Sequence, residues 1–156
     1  NHAGVMPLSP MSALKFEEWD YSFNVNIKGV LNGIAAGLPI MAAQGKGQFI
    51  NTASIGAHAV SPTAAVYCAT KYAVWAISDG LRQESPNIRV TTISPGVVKT
   101  ELGSDITDDT AKGFLQKLRK TALEPDAIAR AVIYAVSQSD DVDVNEVIVR
   151  STTSAF

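Results

Sequence analysis

Tyr67 and Lys71 are the two residues whose types and spacing most directly predict chemistry in this chain. Residues four apart on a helix stand on one face about one turn apart, so the Lys71 ammonium can lie beside the Tyr67 phenol. A free phenol has a pKa of about 10, and a nearby cation favours the phenolate. The pair is therefore predicted to exchange a proton near neutral pH, as a general acid or base does. The alternative for the bare pattern is a tyrosine beside a solvated lysine on an amphipathic helix.

Other polar and turn-forming motifs occur in a fixed order around this pair. They are Asn1-His2-Ala3-Gly4, Asn26, Ser54 and Pro95-Gly96-Val97-Val98-Lys99-Thr100. In this order, and together with the Tyr67/Lys71 pair, the motifs resemble those of the short-chain dehydrogenase/reductase family. The resemblance runs from Asn1 to about Arg150, which is nearly the whole chain.

The resemblance implies a catalytic role for four residues. In it Tyr67 is the general acid and base, Ser54 donates a hydrogen bond to the substrate oxygen, Lys71 lowers the pKa of Tyr67 and holds the nicotinamide ribose, and Asn26 keeps a water in the proton path. The implied activity is hydride transfer between NAD or NADP and a secondary alcohol or carbonyl compound. The implied cofactor-binding residues are Asn1, Ala3, Gly4, Tyr67, Lys71, Pro95, Gly96, Val98 and Thr100.

Two departures from the family pattern accompany the resemblance. His2 stands where the family has a second asparagine, which puts a local hydrogen bond that supports the sheet in question. Family members also begin with a strand, a glycine-rich turn and a helix that bind the dinucleotide, and this sequence starts after them. We therefore interpret the chain as truncated, expect activity to require the missing N-terminal half, and expect no residue here to distinguish NAD from NADP.

The periodicity of apolar residues predicts alternating helices and strands. Helices are expected over 16–43, 63–84 and 127–138, and strands over 48–53, 88–94 and 145–150. The segment 101–121 mixes charges with apolar residues and is interpreted as a substrate lid; a solvated connecting helix is the alternative. This order favours parallel strands joined by right-handed crossovers. The predicted fold class is α/β, the C-terminal half of a Rossmann-type doubly wound parallel sheet, with residues 1–156 forming a single partial domain.

The first two predicted helices, 16–43 and 63–84, are apolar on more than one face, which indicates burial on more than one side. The second also carries a ridge of small residues at helical spacing: Ala69, Ala73, Ala76 and Gly80. We expect a homodimer or homotetramer formed through these two helices, as in the family.

Composition limits the other partners. The formal net charge is -2 over 156 residues, with lysines and arginines scattered, so neither nucleic acid nor an anionic membrane is an expected partner. We find no apolar run of roughly 18 to 20 residues that would predict a membrane span. The single cysteine, Cys68, agrees with a cytoplasmic location. No metal site is expected, and the aspartates at 140, 141 and 143 are interpreted as a solvated loop.

Two other functions stay open at this point. One is a non-catalytic dinucleotide-binding or regulatory relative, or an inactive truncated fragment, because the glycine-rich motif is absent. The other is a sugar-nucleotide epimerase or dehydratase, since those relatives also use the Tyr67/Lys71 spacing. Such enzymes carry a much larger C-terminal substrate domain, whereas this sequence ends soon after its last predicted strand.

Overall fold

The computed structural model describes residues 1–154; Ala155 and Phe156, which belong to the predicted tail, lie outside the described residues. The helices are α1 (Phe16–Ser22), α2 (Gly29–Gln44), α3 (Ala65–Glu84), α4 (Asp109–Leu118) and α5 (Pro125–Val136). The strands are β1 (Gly47–Thr52), β2 (Ile88–Pro95) and β3 (Glu146–Val149). Short 3₁₀ turns cover Met11–Ala13, Ile55–Ala57 and Arg119–Thr121.

The strands form a three-stranded sheet in the order β1-β2-β3, and both pairings are parallel. Strand β2 is central and buried along most of its length, as its run of β-branched residues predicts. Helix α3 connects β1 to β2, and α4 and α5 connect β2 to β3. The parallel α/β arrangement predicted from the sequence is confirmed.

The first predicted helix is continuous from Phe16 to Gln44 but is not uniform. Residues Phe23–Lys28, between α1 and α2, form a π-helical segment. Gly45, in the left-handed region at φ 69°, ends the helix where a residue without a Cβ is favoured. Segments of π-helix are rare and occur often at functional sites, and this one contains Asn26.

Two apolar clusters hold the elements together. The first lies between the sheet and helices α2 and α3, and includes Ile34, Phe49, Val74 and Val90. The second lies on the other side of the N-terminal part of α3. In it the predicted lid, 101–121, packs against the start of α3. Its buried residues are Leu8, Ala64, Tyr67, Cys68, Ile106, Ala111 and Leu115.

The long N-terminal helix corrects one expectation. By length and composition alone, Phe16–Gln44 could cross a membrane, contrary to our prediction that no segment qualifies. A core helix of a soluble protein meets the same criterion but is mostly buried, whereas 11% of the apolar window is buried here. Here the helix packs Val30 and Ile34 into the first cluster against β1, and it buries the polar side chain of Asn26.

Burial on more than one side is met only in part among residues 1–154, because α3 contributes to both apolar clusters while both helices leave apolar side chains exposed. Helix α2 leaves Leu31 and Ile40 exposed, and α3 leaves Tyr72 and Trp75 exposed. Two residues of the small-residue ridge, Ala69 and Ala76, also lie on the exposed side of α3. The predicted oligomer contact through these helices therefore stays a prediction.

Thr63, just before α3, is a strained position. Its φ of 67° lies in the left-handed region, which a β-branched residue rarely adopts, and its buried hydroxyl has no hydrogen-bond partner. We expect Thr63→Gly to raise the free energy of unfolding of the full-length protein by about 1 kcal/mol, measured by urea denaturation. Thr63→Val removes the hydroxyl but keeps the branched Cβ, so it should recover less of this gain. A lower stability of Thr63→Gly than of the unmodified protein would contradict the strain argument.

Candidate active site

The predicted functional residues converge beyond the carboxyl ends of β1 and β2. Thr52 and Ile93 are register partners, so the residues that follow them leave the sheet at the same edge. Ser54 comes two residues after β1, and Gly96 comes directly after β2. In parallel α/β sheets this edge is where ligands bind.

Ser54 caps a short turn that orients its hydroxyl. It has extended backbone geometry, and its Oγ accepts a hydrogen bond of 3.0 Å from the Gly56 amide. A Cβ added at Gly56 would lie 3.5 Å from Ser54 Oγ and 3.5 Å from Tyr67 Cε1. The Ser54 hydroxyl and the Tyr67 ring therefore both lie next to Gly56.

Helix α3 carries Tyr67 and Lys71 on one face, as predicted. The Lys71 ammonium lies 5.8 Å from the centroid of the Tyr67 ring, and it donates a 3.0 Å hydrogen bond to the carbonyl oxygen of Thr52. Both side chains are buried. The alternative of a solvated lysine on an amphipathic helix is therefore wrong.

The pKa values of this pair differ from the expectation. Burial raises the pKa of Tyr67 to about 12, and a hydrogen bond from Ser54 lowers it only in part. Burial also lowers the pKa of Lys71 to about 8. The prediction that Lys71 brings the phenol to near neutral pH is wrong for this structure, because desolvation by the second apolar cluster outweighs any effect of the cation.

Asn26 is fully buried beside Lys71 and Gly4. Its Oδ1 accepts a hydrogen bond from the Val5 amide, and its Nδ2 donates to the Val5 carbonyl, both at 2.9 Å. A Cβ added at Gly4 would lie 3.4 Å from Asn26 Oδ1 and 3.7 Å from Lys71 Nζ. The amide of Asn26 thus holds the loop at Gly4 and Val5 next to the ammonium of Lys71.

Asn1 connects the first loop to the edge of the sheet. Its Nδ2 donates to Asn51 Oδ1 at 2.8 Å, and its carbonyl oxygen accepts from the Thr52 amide at 3.0 Å. The His2 ring bonds to Thr52 Oγ1 at 3.0 Å, so a hydrogen bond to β1 exists at the position of the family's second asparagine. Ala3 is exposed and Gly4 half-buried at the same edge.

The segment that follows Pro95 forms backbone hydrogen bonds with Val149 and Leu123. The Gly96 amide donates to Val149, while Val97 and Lys99 bond to the backbone of Leu123 on either side of a parallel bridge at Val98. A parallel bridge of this kind directs the N–H and C=O of Val98 itself away from Leu123. Thr100, further on, is exposed, and its carbonyl accepts from Arg119 at 3.2 Å.

Three polar residues near the candidate site, Glu146, His58 and Thr70, were not predicted from the sequence to contribute to it. Glu146 accepts hydrogen bonds from His58, Trp75 and Ser94, at 2.7, 3.1 and 2.6 Å. This carboxylate therefore connects the turn after Ser54, helix α3 and strand β2. His58 belongs to this cluster, and the buried Thr70 bonds to Asn26. A hydroxyl residue directly before Lys71 is the one sequence signal that bears on these contacts.

The aspartates at 140, 141 and 143 include one that bonds to the sheet. All three are exposed; Asp143 Oδ1 accepts a 3.1 Å hydrogen bond from the Val90 amide, Asp140 lies 3.9 Å from the Lys46 ammonium, and Asp141 accepts from the Ser139 hydroxyl. Among residues 1–154 no group of three or more histidine, cysteine, aspartate or glutamate side chains could hold a metal ion.

Comparison with known proteins identifies the family. The family model described as short chain dehydrogenase matches residues 1–111, which include Asn26, Ser54, Tyr67, Lys71 and the Pro95 segment. The chain belongs to the short-chain dehydrogenase family.

Curated relatives of this short-chain dehydrogenase are named as oxidoreductases. An uncharacterized oxidoreductase of Staphylococcus saprophyticus is 49% identical over 100% of this chain and 65% of its own length. An uncharacterized oxidoreductase of Listeria innocua is 46% identical over 99% of this chain and 64% of its own length. The chain thus spans less than two thirds of the length of these relatives.

A solved structure of the family confirms the fold. An alcohol dehydrogenase from the archaeon Thermococcus sibiricus, complexed with 5-hydroxy-NADP, is 28% identical with a TM-score of 0.84. The match covers 98% of this chain and 62% of that one. The Rossmann-type α/β fold predicted from the sequence is therefore confirmed.

Proposed function

We propose that the full-length protein is an NAD(P)-dependent oxidoreductase acting on a secondary alcohol or carbonyl compound. The observation that carries this proposal is the convergence of Ser54, Tyr67 and Lys71 at the carboxyl edge of a parallel sheet, where the Ser54 hydroxyl hydrogen-bonds to Tyr67 and both lie next to Gly56. A proton donor beside a second hydrogen-bond donor suits a substrate oxygen that gains and loses a proton.

Tyr67 is the residue that moves the proton. With a pKa of about 12, its phenol is protonated at neutral pH and is ready to donate to a carbonyl oxygen. Ser54 accepts its hydrogen bond from Gly56, so its own proton is left to donate to Tyr67 or to the substrate oxygen. Lys71 provides the positive charge next to the phenol ring, which favours release of the Tyr67 proton.

The residues present fit a nicotinamide dinucleotide. The buried ammonium of Lys71 donates to Thr52, which leaves two N–H groups to bind ribose hydroxyls. Gly4 lies against Lys71 and Asn26, and the backbone of Val98 is directed away from Leu123, so both offer main-chain groups to a ligand. Asn1, Ala3, Pro95, Gly96 and Thr100 complete the proposed cofactor surface. When bound, the nicotinamide supplies or accepts the hydride.

A turnover assay tests the proposal. The full-length protein is incubated with NAD or NADP and a panel of secondary alcohols, and with the reduced dinucleotides and the matching ketones, while absorbance at the nicotinamide band is followed. Dinucleotide binding with turnover supports an oxidoreductase. Binding without turnover on any substrate favours the non-catalytic regulatory relative.

The rate of carbonyl reduction is expected to fall as pH rises through about 8. Burial disfavours the charged form of Lys71 and lowers its pKa to about 8, so its positive charge is present below that pH and lost above it. Tyr67 stays protonated throughout this range because its pKa is about 12. The check is kcat for reduction between pH 6 and about 10 at saturating dinucleotide. A profile that stays level to pH 10 would contradict the role of Lys71.

We propose that the full-length protein forms a homodimer or homotetramer through α1–α2 and α3. The apolar residues these helices leave exposed, Leu31, Ile40, Tyr72 and Trp75, would then be covered. Light scattering after gel filtration should give two or four times the subunit mass, and Tyr72→Glu should shift it towards the monomer. Tyr134→Glu, at a more exposed tyrosine on α5, is the control. Dissociation by the α5 change alone would place the contact elsewhere.

We propose a cytoplasmic location. The supporting observation is that Phe16–Gln44, the helix within residues 1–154 that is apolar enough to span a membrane, packs Val30 and Ile34 against the sheet and buries Asn26. A cell fractionation of the full-length protein that finds it in the membrane pellet would contradict this.

A further inference from the structure

The hydroxyl of Thr70 connects two parts of the candidate site. Thr70 is fully buried and lies on α3 directly before Lys71. Its Oγ1 donates a 2.7 Å hydrogen bond to the carbonyl oxygen of Tyr67 and accepts a 3.0 Å hydrogen bond from Asn26 Nδ2. One hydroxyl thus joins the turn that carries Tyr67 to the π-helical segment that carries Asn26.

These bonds leave the Asn26 amide a single orientation. Because the Thr70 proton is used on the Tyr67 carbonyl, Thr70 can only accept from Asn26, so the NH₂ group must face it. The second N–H of Asn26 donates to the Val5 carbonyl, and Oδ1 accepts from the Val5 amide. A rotated amide would bring its oxygen to the Val5 carbonyl and its NH₂ to the Val5 amide, losing all three bonds.

The position of Asn26 in turn affects the groups beside it. Its Oδ1 lies next to Gly4, and Gly4 lies next to the Lys71 ammonium. Removing the Thr70 hydroxyl leaves one N–H of Asn26 buried without a partner, which favours a shifted amide. The shift would be transmitted to the Gly4–Val5 backbone and to the surroundings of Lys71.

We propose that Thr70 is a positioning residue whose hydroxyl sets Asn26, and through it the Gly4–Val5 loop, against Tyr67 and Lys71. The catalytic part of this inference rests on the proposed oxidoreductase function; the positional part does not. Thr70 need not contact the substrate, since its hydroxyl is fully used within the protein.

Thr91 provides a matched control. It is as fully buried as Thr70, and its Oγ1 likewise accepts from a side-chain amide, that of Gln48 at 3.1 Å. It lies on β2, where Gln48 also bonds to the Ala135 carbonyl on α5 and not to the candidate site. Thr91→Val and Thr70→Val therefore each remove a hydroxyl that accepts from a side-chain amide, part-buried at Thr91 and buried at Thr70, where the bond to the Tyr67 carbonyl is lost as well.

The first test is kinetic and uses the full-length protein. Thr70→Val is expected to lower kcat by about 10- to 100-fold, with the KM for substrate changed far less. Thr70→Ser retains the hydroxyl and should restore most of kcat, and Thr91→Val should keep kcat although it loses comparable stability. Equal kcat losses in Thr70→Val and Thr91→Val, or no rescue by serine, would overturn the proposal. If Thr70→Val does not fold, Thr70→Ala removes the same hydroxyl and takes its place.

The second test does not depend on activity. Hydrogen exchange of the Val5 amide, which bonds to Asn26 Oδ1, is measured in the same proteins. Thr70→Val should lower its protection by about tenfold, with Thr70→Ser and Thr91→Val close to the unmodified protein. Unchanged Val5 exchange in Thr70→Val would overturn the proposal. If the unmodified protein shows no turnover, the proposed function fails, and exchange at Val5 still decides the role of Thr70.

Discussion

Tyr67→Phe is expected to lower turnover of the full-length protein by about 10²–10⁴-fold while leaving dinucleotide binding close to normal. The substitution keeps the ring and its packing in the second apolar cluster but removes the phenol oxygen that carries the proton in the proposed mechanism. Stopped-flow or steady-state rates give turnover, and quenching of protein fluorescence by the dinucleotide gives binding.

A second tyrosine on the same helix provides the control for this experiment. Tyr72 is exposed on the solvent side of α3, so Tyr72→Phe should leave kcat unchanged. Turnover of Tyr67→Phe equal to that of the unmodified protein would end the proposed mechanism. Loss of dinucleotide binding along with turnover would instead assign Tyr67 a role in holding the cofactor.

Ser54→Ala is expected to lower kcat by about 10²–10³-fold, the effect of removing one hydrogen-bond donor from a developing oxyanion. The Ser54 hydroxyl also lowers the pKa of Tyr67, so its removal should raise that pKa further. Because alcohol oxidation needs the ionised phenol as base, its pH profile should move to higher pH. The measurements are kcat for reduction and the pH dependence of kcat for oxidation.

Ser54→Thr tests whether the hydroxyl is what matters, because threonine keeps the hydroxyl and adds a methyl group. Position 54 has extended backbone geometry, with φ -174° and ψ 162°, which threonine adopts without strain. Threonine should therefore keep much of the activity that alanine loses. Equal losses in both variants would mean that the shape of the turn matters and the hydroxyl does not.

The Tyr67 and Ser54 variants do not identify the substrate. The lid segment 101–121 is held by Arg119, whose guanidinium donates to the carbonyls of Thr100 and Leu102, and by the bridge between Val98 and Leu123. Its buried residues Ile106 and Leu115 pack in the same cluster as Tyr67. Apolar side chains beside the proposed proton donor agree with a small or moderately apolar substrate. That 101–121 is a lid remains a proposal. Protection of α4 from hydrogen exchange on addition of substrate would test it.

The pKa of Tyr67 shows where reasoning from sequence neighbours stops. Lys71 is close to Tyr67 in the chain, so its charge could be taken into account from the sequence. The residues that remove water from the phenol, such as Leu8 and Leu115, are far from it in the chain. Their effect is larger and of opposite sign, so the predicted direction of the shift was wrong.

The sequence by itself determined the types, order and approximate ends of the helices and strands, because these depend on local periodicity and on breakers such as Gly45 and Pro125. It also determined the family and the four candidate catalytic residues, because their order along the chain is specific. Only the tertiary structure decided the π-helical segment at Asn26, the bond from Asn26 to Thr70 across 44 residues, and the bond from His58 to Glu146 across 88. These contacts depend on how α2, α3 and the sheet pack together, and no local pattern in the chain encodes that packing.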